Sequence, residues 1–141
     1  MFAMRRTNSL QIMIVSVACA AGLMAQDLPR AAMLYQDLLR QDSNQVLART
    51  AQLDLANFFA TQQRYPEAAA AYEQFLRYYA NYDQIEQINL MLGVIYARYL
   101  DNPLRAKEYL QKALARLHTS REVELAKSEL AHIDGTIPPM A

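Results

Sequence analysis

One interval constrains this chain more than any other feature. Ala31, Ala68 and Ala106 recur about 37–38 residues apart, each inside a stretch whose apolar residues return every three or four positions. A period of that size on helix pairs marks a stacked helical repeat, because a single pair cannot bury its own apolar face and needs a neighbour. The clearest copy spans residues 92–114. It reads Leu92-Gly93-Val94-Ile95-Tyr96, breaks at Leu100-Asp101-Asn102-Pro103, and resumes at helical spacing from Ala106. An earlier copy covers 55–76, and half a copy covers 31–39.

Composition points the same way. Ala, Leu, Gln, Arg and Glu dominate, glycine is limited to three, and β-branched residues are sparse after the first twenty positions. These are helix formers, and the fold class is all-α. The chain is 53 % hydrophobic, which is enough to build a core and excludes a wholly disordered chain. Acidic and basic residues balance at 14 each and are interspersed, so the basic stripe that nucleic acid demands is missing. The single cysteine, Cys19, excludes an internal disulfide.

Residues 1–26 stand apart from the rest. Arg5 and Arg6 precede a run from 12 to 25 that is apolar except for Ser16, with small residues behind it. That order resembles a secretory signal peptide. The run is short for a membrane span, but an uncleaved anchor over residues 10–26 stays open. The competing reading makes this stretch the first amphipathic helix of the domain. The first reading places the protein outside the cytoplasm or on a membrane, and the second keeps it cytoplasmic.

The helical domain is expected over 27–134, followed by a loose tail over 135–141. Asp27 can cap a first helix with Pro29 in its opening turn. Ala31, Leu34, Tyr35 and Leu38 form its apolar face. Asp42-Ser43-Asn44 offers the next cap, for a helix over about 44–62 with Leu47, Ala51, Leu55, Phe58 and Phe59 inward. Pro66 opens a third helix, with Ala68, Ala71, Tyr72, Phe75 and Tyr79 inward. A fourth buries Ile88, Met91, Leu92, Ile95, Tyr96 and Tyr99. Asn102 and Pro103 start a fifth, whose inner face is Ala106, Tyr109, Leu110, Ala113, Leu114 and Leu117. Thr119 and Glu122 fit a capping box before a last helix with a narrow stripe of Val123, Ala126, Leu130 and Ile133. Its Glu122, Glu124 and Glu129 read as a solvated face, and Gly135 as its stop.

These residues resemble the tetratricopeptide repeat family. Leu92-Gly93-x-x-Tyr96 matches the family's first-helix pattern, and Ala106-x-x-x-Leu110 its second. The earlier copy reads Leu55-Ala56-x-x-Phe59 with Ala68-x-x-x-Tyr72. Arg64-Tyr65-Pro66-Glu67-Ala68 looks like the family's interhelical turn. Gln52 and Asn89 stand where the family has a tryptophan, the closing prolines are absent, and the junctions near 41–45 and 79–83 run longer than the family's. Another αα-repeat or a plain helix bundle remains the alternative. The resemblance implies a short right-handed stack of antiparallel helix pairs with single capping helices.

It also implies an interaction scaffold whose first helices line a groove. The residues carried onto that groove are Thr50, Leu53, Asn57 and Thr61, then Gln87, Leu90, Val94 and Arg98. Leu53, Leu90 and Val94 suit an apolar or amphipathic segment of another protein. Tyr78 and Tyr82 fall off the main apolar faces and are candidate surface anchors. His118 and His132 lack partners at metal-ligand spacing, the glycines are isolated, and no serine has a visible base. No catalytic, metal or cofactor site is expected. The alternative to an adaptor is a structural protein that self-associates through its stack.

Overall fold

The computed structural model describes residues 27–136. The readings placed on 1–26 and 137–141 lie outside the described residues. Among the described residues every regular element is a helix. In chain order these are α1 (Leu28–Gln41), α2 (Arg49–Thr61), α3 (Tyr65–Tyr78), α4 (Ile85–Arg98), α5 (Pro103–Leu114) and α6 (Ser120–Thr136). The all-α expectation is borne out. The chain divides into two compact units between Tyr78 and Tyr79.

In the first unit α2 packs closely on α3 and meets α1 on another side. Asp27 begins α1 as expected, accepting the Arg30 N–H through Oδ1 at 3.3 Å, with proline in the first turn. Ala31, Ala32, Tyr35 and Leu38 form its buried face. The expected helix from residue 44 does not begin until Arg49. Asp42 takes a different role: its carboxylate accepts the Asn44 N–H at 3.0 Å and the Gln45 side-chain amide at 2.8 Å. Those two bonds hold the Asp42 carboxyl below the ordinary aspartate range. They close a local turn, which competes with helix for the same backbone groups.

The rest of that connection is pinned by side chains from two helices. Gln52 is fully buried; its Oε1 accepts the Leu47 N–H at 2.9 Å, while Nε2 donates to Tyr35 Oη and to the Ala71 carbonyl, both at 3.0 Å. Gln74 donates to the Gln45 carbonyl at 3.2 Å and the Tyr78 hydroxyl to the Asn44 carbonyl at 3.1 Å. Gln52 therefore ties α1, α2, α3 and the α1–α2 connection at one point. Leu55, Ala56, Phe59, Ala68, Ala71, Tyr72 and Phe75 complete the apolar core of the unit.

In the second unit α4 and α5 form the tightest pair, and α6 packs on α5 and more lightly on α4. Asn102 caps α5, accepting the Arg105 N–H at 3.2 Å, with Pro103 at its first position. Asp101 precedes it in the left-handed region at φ 48°, a conformation aspartate tolerates better than most residues. The reason for the tight pair is Gly93. A Cβ there would sit 2.5 Å from Leu110 Cγ and 3.3 Å from the Leu110 backbone nitrogen, so only hydrogen fits. Tyr96 and Tyr109 stack beside that crossing, with ring centroids 5.8 Å apart.

Several details differ from expectation. Met91 and Tyr99, placed on the buried face of α4, are exposed at 44 % and 50 %. Tyr99 follows the last turn of the helix, where the face no longer points inward. Glu129, placed on a solvated face, is buried at 7 % exposure. The last helix continues through Gly135 to Thr136.

Candidate functional site

The eight residues singled out as groove-facing lie on two helix faces, one in each unit. On α2, Thr50, Asn57 and Thr61 are exposed and Leu53 is half-buried. Their spacing of three and four keeps them on one side of the helix, opposite Leu55, Ala56 and Phe59, which are buried. Two of the polar groups are already engaged. The Tyr72 hydroxyl donates a short hydrogen bond to Asn57 Oδ1. The Thr61 hydroxyl donates to the Phe58 carbonyl at 2.7 Å. Burial pushes the Tyr72 hydroxyl up to about 12, so at neutral pH it remains a proton donor to Asn57.

On α4 the stripe is less uniform. Gln87 is exposed and Val94 half-buried, but Leu90 is buried. Only Gln87, Val94 and Arg98 reach the surface there. Arg98 does not present a free cation: Nε donates to Glu129 Oε1 at 2.7 Å, and Nη2 donates to the same oxygen. That hydrogen bond, with the attraction of the carboxylate, holds the guanidinium above its ordinary value. Glu86, on the first turn of α4, has one carboxylate oxygen buried without a hydrogen bond, and Arg116 Nε stands 3.9 Å from it.

The tyrosines sort by their hydroxyls. Tyr72 and Tyr96 are core residues, as expected. Tyr78 is 49 % exposed, but its hydroxyl anchors the α1–α2 connection within its own unit. Arg105 lies over the Tyr96 ring at 5.1 Å and donates to its hydroxyl at 2.9 Å.

One concave feature had no counterpart in the pattern of residues. A cleft of about 430 Å³ opens in the first unit between α1 and α3, with Phe59 of α2 at its floor. Leu39 and Arg40 form one wall, and Pro66, Glu67 and Ala70 the other. It is mostly apolar, with one cationic and one anionic side chain on its rim. It arises because α1 and α3 both pack on α2 without packing on each other, and periodicity within single helices carries no record of that.

Among the described residues no group of three or more His, Cys, Asp or Glu side chains gathers at metal-binding distance. No helix among them is long and apolar enough to cross a membrane. No protein-family model matches the chain, and no curated protein matches it.

Proposed function

We propose that the chain is a non-catalytic adaptor of tetratricopeptide type, exported or membrane-tethered, that binds an apolar or amphipathic segment of another protein. The observation that carries this reading is the repetition of one buried register in both units. Leu55, Ala56 and Phe59 with Ala68 and Tyr72 are buried in the first, and Leu92, Gly93 and Tyr96 with Ala106 and Leu110 in the second. Two helix pairs built to one register favour a stacked repeat over an irregular bundle. The outward face of α2 in the first unit and that of α4 in the second each offer a contact surface, with Leu53 and Val94 as their respective apolar anchors and the polar groups around them setting orientation.

The test uses the full-length tagged protein purified from its native cells in mild detergent, with bound proteins identified by mass spectrometry. It is run beside Leu53→Asp/Val94→Asp, two half-buried positions that accept charge at the surface; Leu90 is left alone because it is buried. The expected result is one partner in stoichiometric amount, reduced at least about tenfold in the variant while circular dichroism stays unchanged. Equal recovery by the folded variant removes these faces from the binding surface.

A further inference from the structure

α6 differs from the other helices in what holds it. Its buried residues, among those described, are one alanine, one isoleucine and one glutamate: Ala126, Ile133 and Glu129. Val123 and Leu130 are half-buried, and Leu125 is 37 % exposed. The Arg98–Glu129 and Lys107–Asp134 charge pairs join α6 to its neighbours. Glu129, 7 % exposed, receives both Arg98 donors from the end of α4. Lys107 of α5 meets Asp134 at 2.9 Å. The second pair is open to water and adds little. The first sits in the middle of the helix, where a leucine would extend the stripe made by Ala126, Leu130 and Ile133.

An ion pair with a buried carboxylate is a poor substitute for apolar packing when holding strength is the requirement, since desolvation of the carboxylate offsets much of the attraction. It differs from apolar packing in another respect. When the pair separates, both charges return to water, and Arg98 is already half-exposed. The penalty for opening is therefore smaller than for a helix docked through leucines. α4 and α5 do not share this weakness, because Gly93 and Leu110 interlock at their crossing.

We infer that α6 is a releasable cap: it detaches from the α4–α5 pair as a unit, with the Arg98–Glu129 pair as its latch. Release frees the Arg98 guanidinium at the end of the α4 face. It also uncovers the stripe of Val123, Ala126, Leu130 and Ile133. Cap and pair thus form two cooperative segments of different stability inside one compact unit. The inference stands on the second unit alone and does not depend on the adaptor reading.

The experiment is hydrogen–deuterium exchange of the full-length protein followed by mass spectrometry, on the native chain, Glu129→Gln and Glu129→Leu. In Glu129→Gln the charge pair is gone, and α6 peptides are expected to exchange about tenfold faster, with the ion-pair contribution discounted for the half-exposed arginine. Peptides of α4 and α5 are expected to stay within about threefold of native. In Glu129→Leu, α6 is expected to exchange no faster than native, because the apolar stripe becomes continuous. Acceleration of α4, α5 and α6 together in Glu129→Gln overturns the inference, as does an unchanged α6. Acceleration in Glu129→Leu equal to that in Glu129→Gln also overturns it, since the carboxylate is then structural rather than a latch.

Discussion

At Gly93 a single hydrogen atom decides how closely two helices approach. Glycine inside a helix costs about 1 kcal/mol relative to alanine, so its presence in the middle of α4 needs a return elsewhere. The return is contact with Leu110, whose Cγ stands 2.5 Å from where a Cβ would be. Leu110 is fully buried and cannot swing aside. Gly93→Ala is therefore expected to destabilise the protein despite alanine's better propensity. Overpacking of this kind costs about 1–3 kcal/mol and outweighs the gain of about 1. In a Leu110→Ala background the 2.5 Å contact is gone and only the 3.3 Å approach to the backbone nitrogen remains, so the same change is expected to cost much less or to be neutral. Chemical denaturation of the four proteins of that cycle measures the difference. A Gly93→Ala effect of the same size in both backgrounds assigns the glycine some other role. The close crossing was legible in the letters, because a small residue between apolar ones at helical spacing has few other uses. Leu110, given by the same pattern as part of the second helix, is the residue that stands nearest to Gly93.

At the scale of elements, the long α1–α2 connection shows what periodicity misses. Residues 42–48 carry Leu47 at a spacing that continues the stripe of α2, and the pattern extends the helix to about residue 44. Instead Asp42 captures the local backbone, and Gln52 reaches back to take the Leu47 N–H. Gln52 is a polar knot inside an otherwise apolar core. It holds Tyr35 of α1, the connection, and the Ala71 carbonyl of α3 at once. Gln52→Leu keeps approximate size and removes those bonds. It takes one hydrogen bond each from the Leu47 N–H, the Tyr35 hydroxyl and the Ala71 carbonyl, and each lost bond costs about 0.5–1.5 kcal/mol. Loss of about 2–4 kcal/mol is expected after allowance for leucine's better transfer to the core, measured by urea denaturation. A loss below about 0.5 kcal/mol, within the range of an ordinary surface substitution, ends the claim that Gln52 organises the unit. The cleft between α1 and α3 belongs to this scale too. It depends on how helices share a neighbour, which the spacing within each helix does not encode.

For the molecule as a whole, acidic and basic residues cancel at 14 each, so net self-repulsion does not set the limits of pH stability near neutrality. Those limits come from particular buried groups. Among the described residues, helix count, helix class and most inward residues were legible because each rests on local spacing. Glu129 and Leu90 were misjudged because nothing within their own helices announces their burial. Tyr72 was placed in the core correctly, and it is expected to contribute to the alkaline edge. Its hydroxyl is raised from 10.0 to about 12 because burial penalises the phenolate. In the unfolded chain the same group releases its proton near pH 10. The folded state therefore holds a proton that the unfolded state has lost, and stability falls as pH rises from 10 towards 12. The contribution is fully present below pH 10. Tyr72→Phe removes the titrating group and leaves the ring in place, so the decline over that window is expected to be shallower in the variant. Urea midpoints of both proteins at pH 9 and pH 11.5 measure the difference, and the titration of lysines common to both cancels in the comparison. The variant itself is expected to be slightly weaker at pH 9, because the hydrogen bond to Asn57 is lost. Parallel declines in the two proteins assign the alkaline edge to other groups and remove Tyr72 from it.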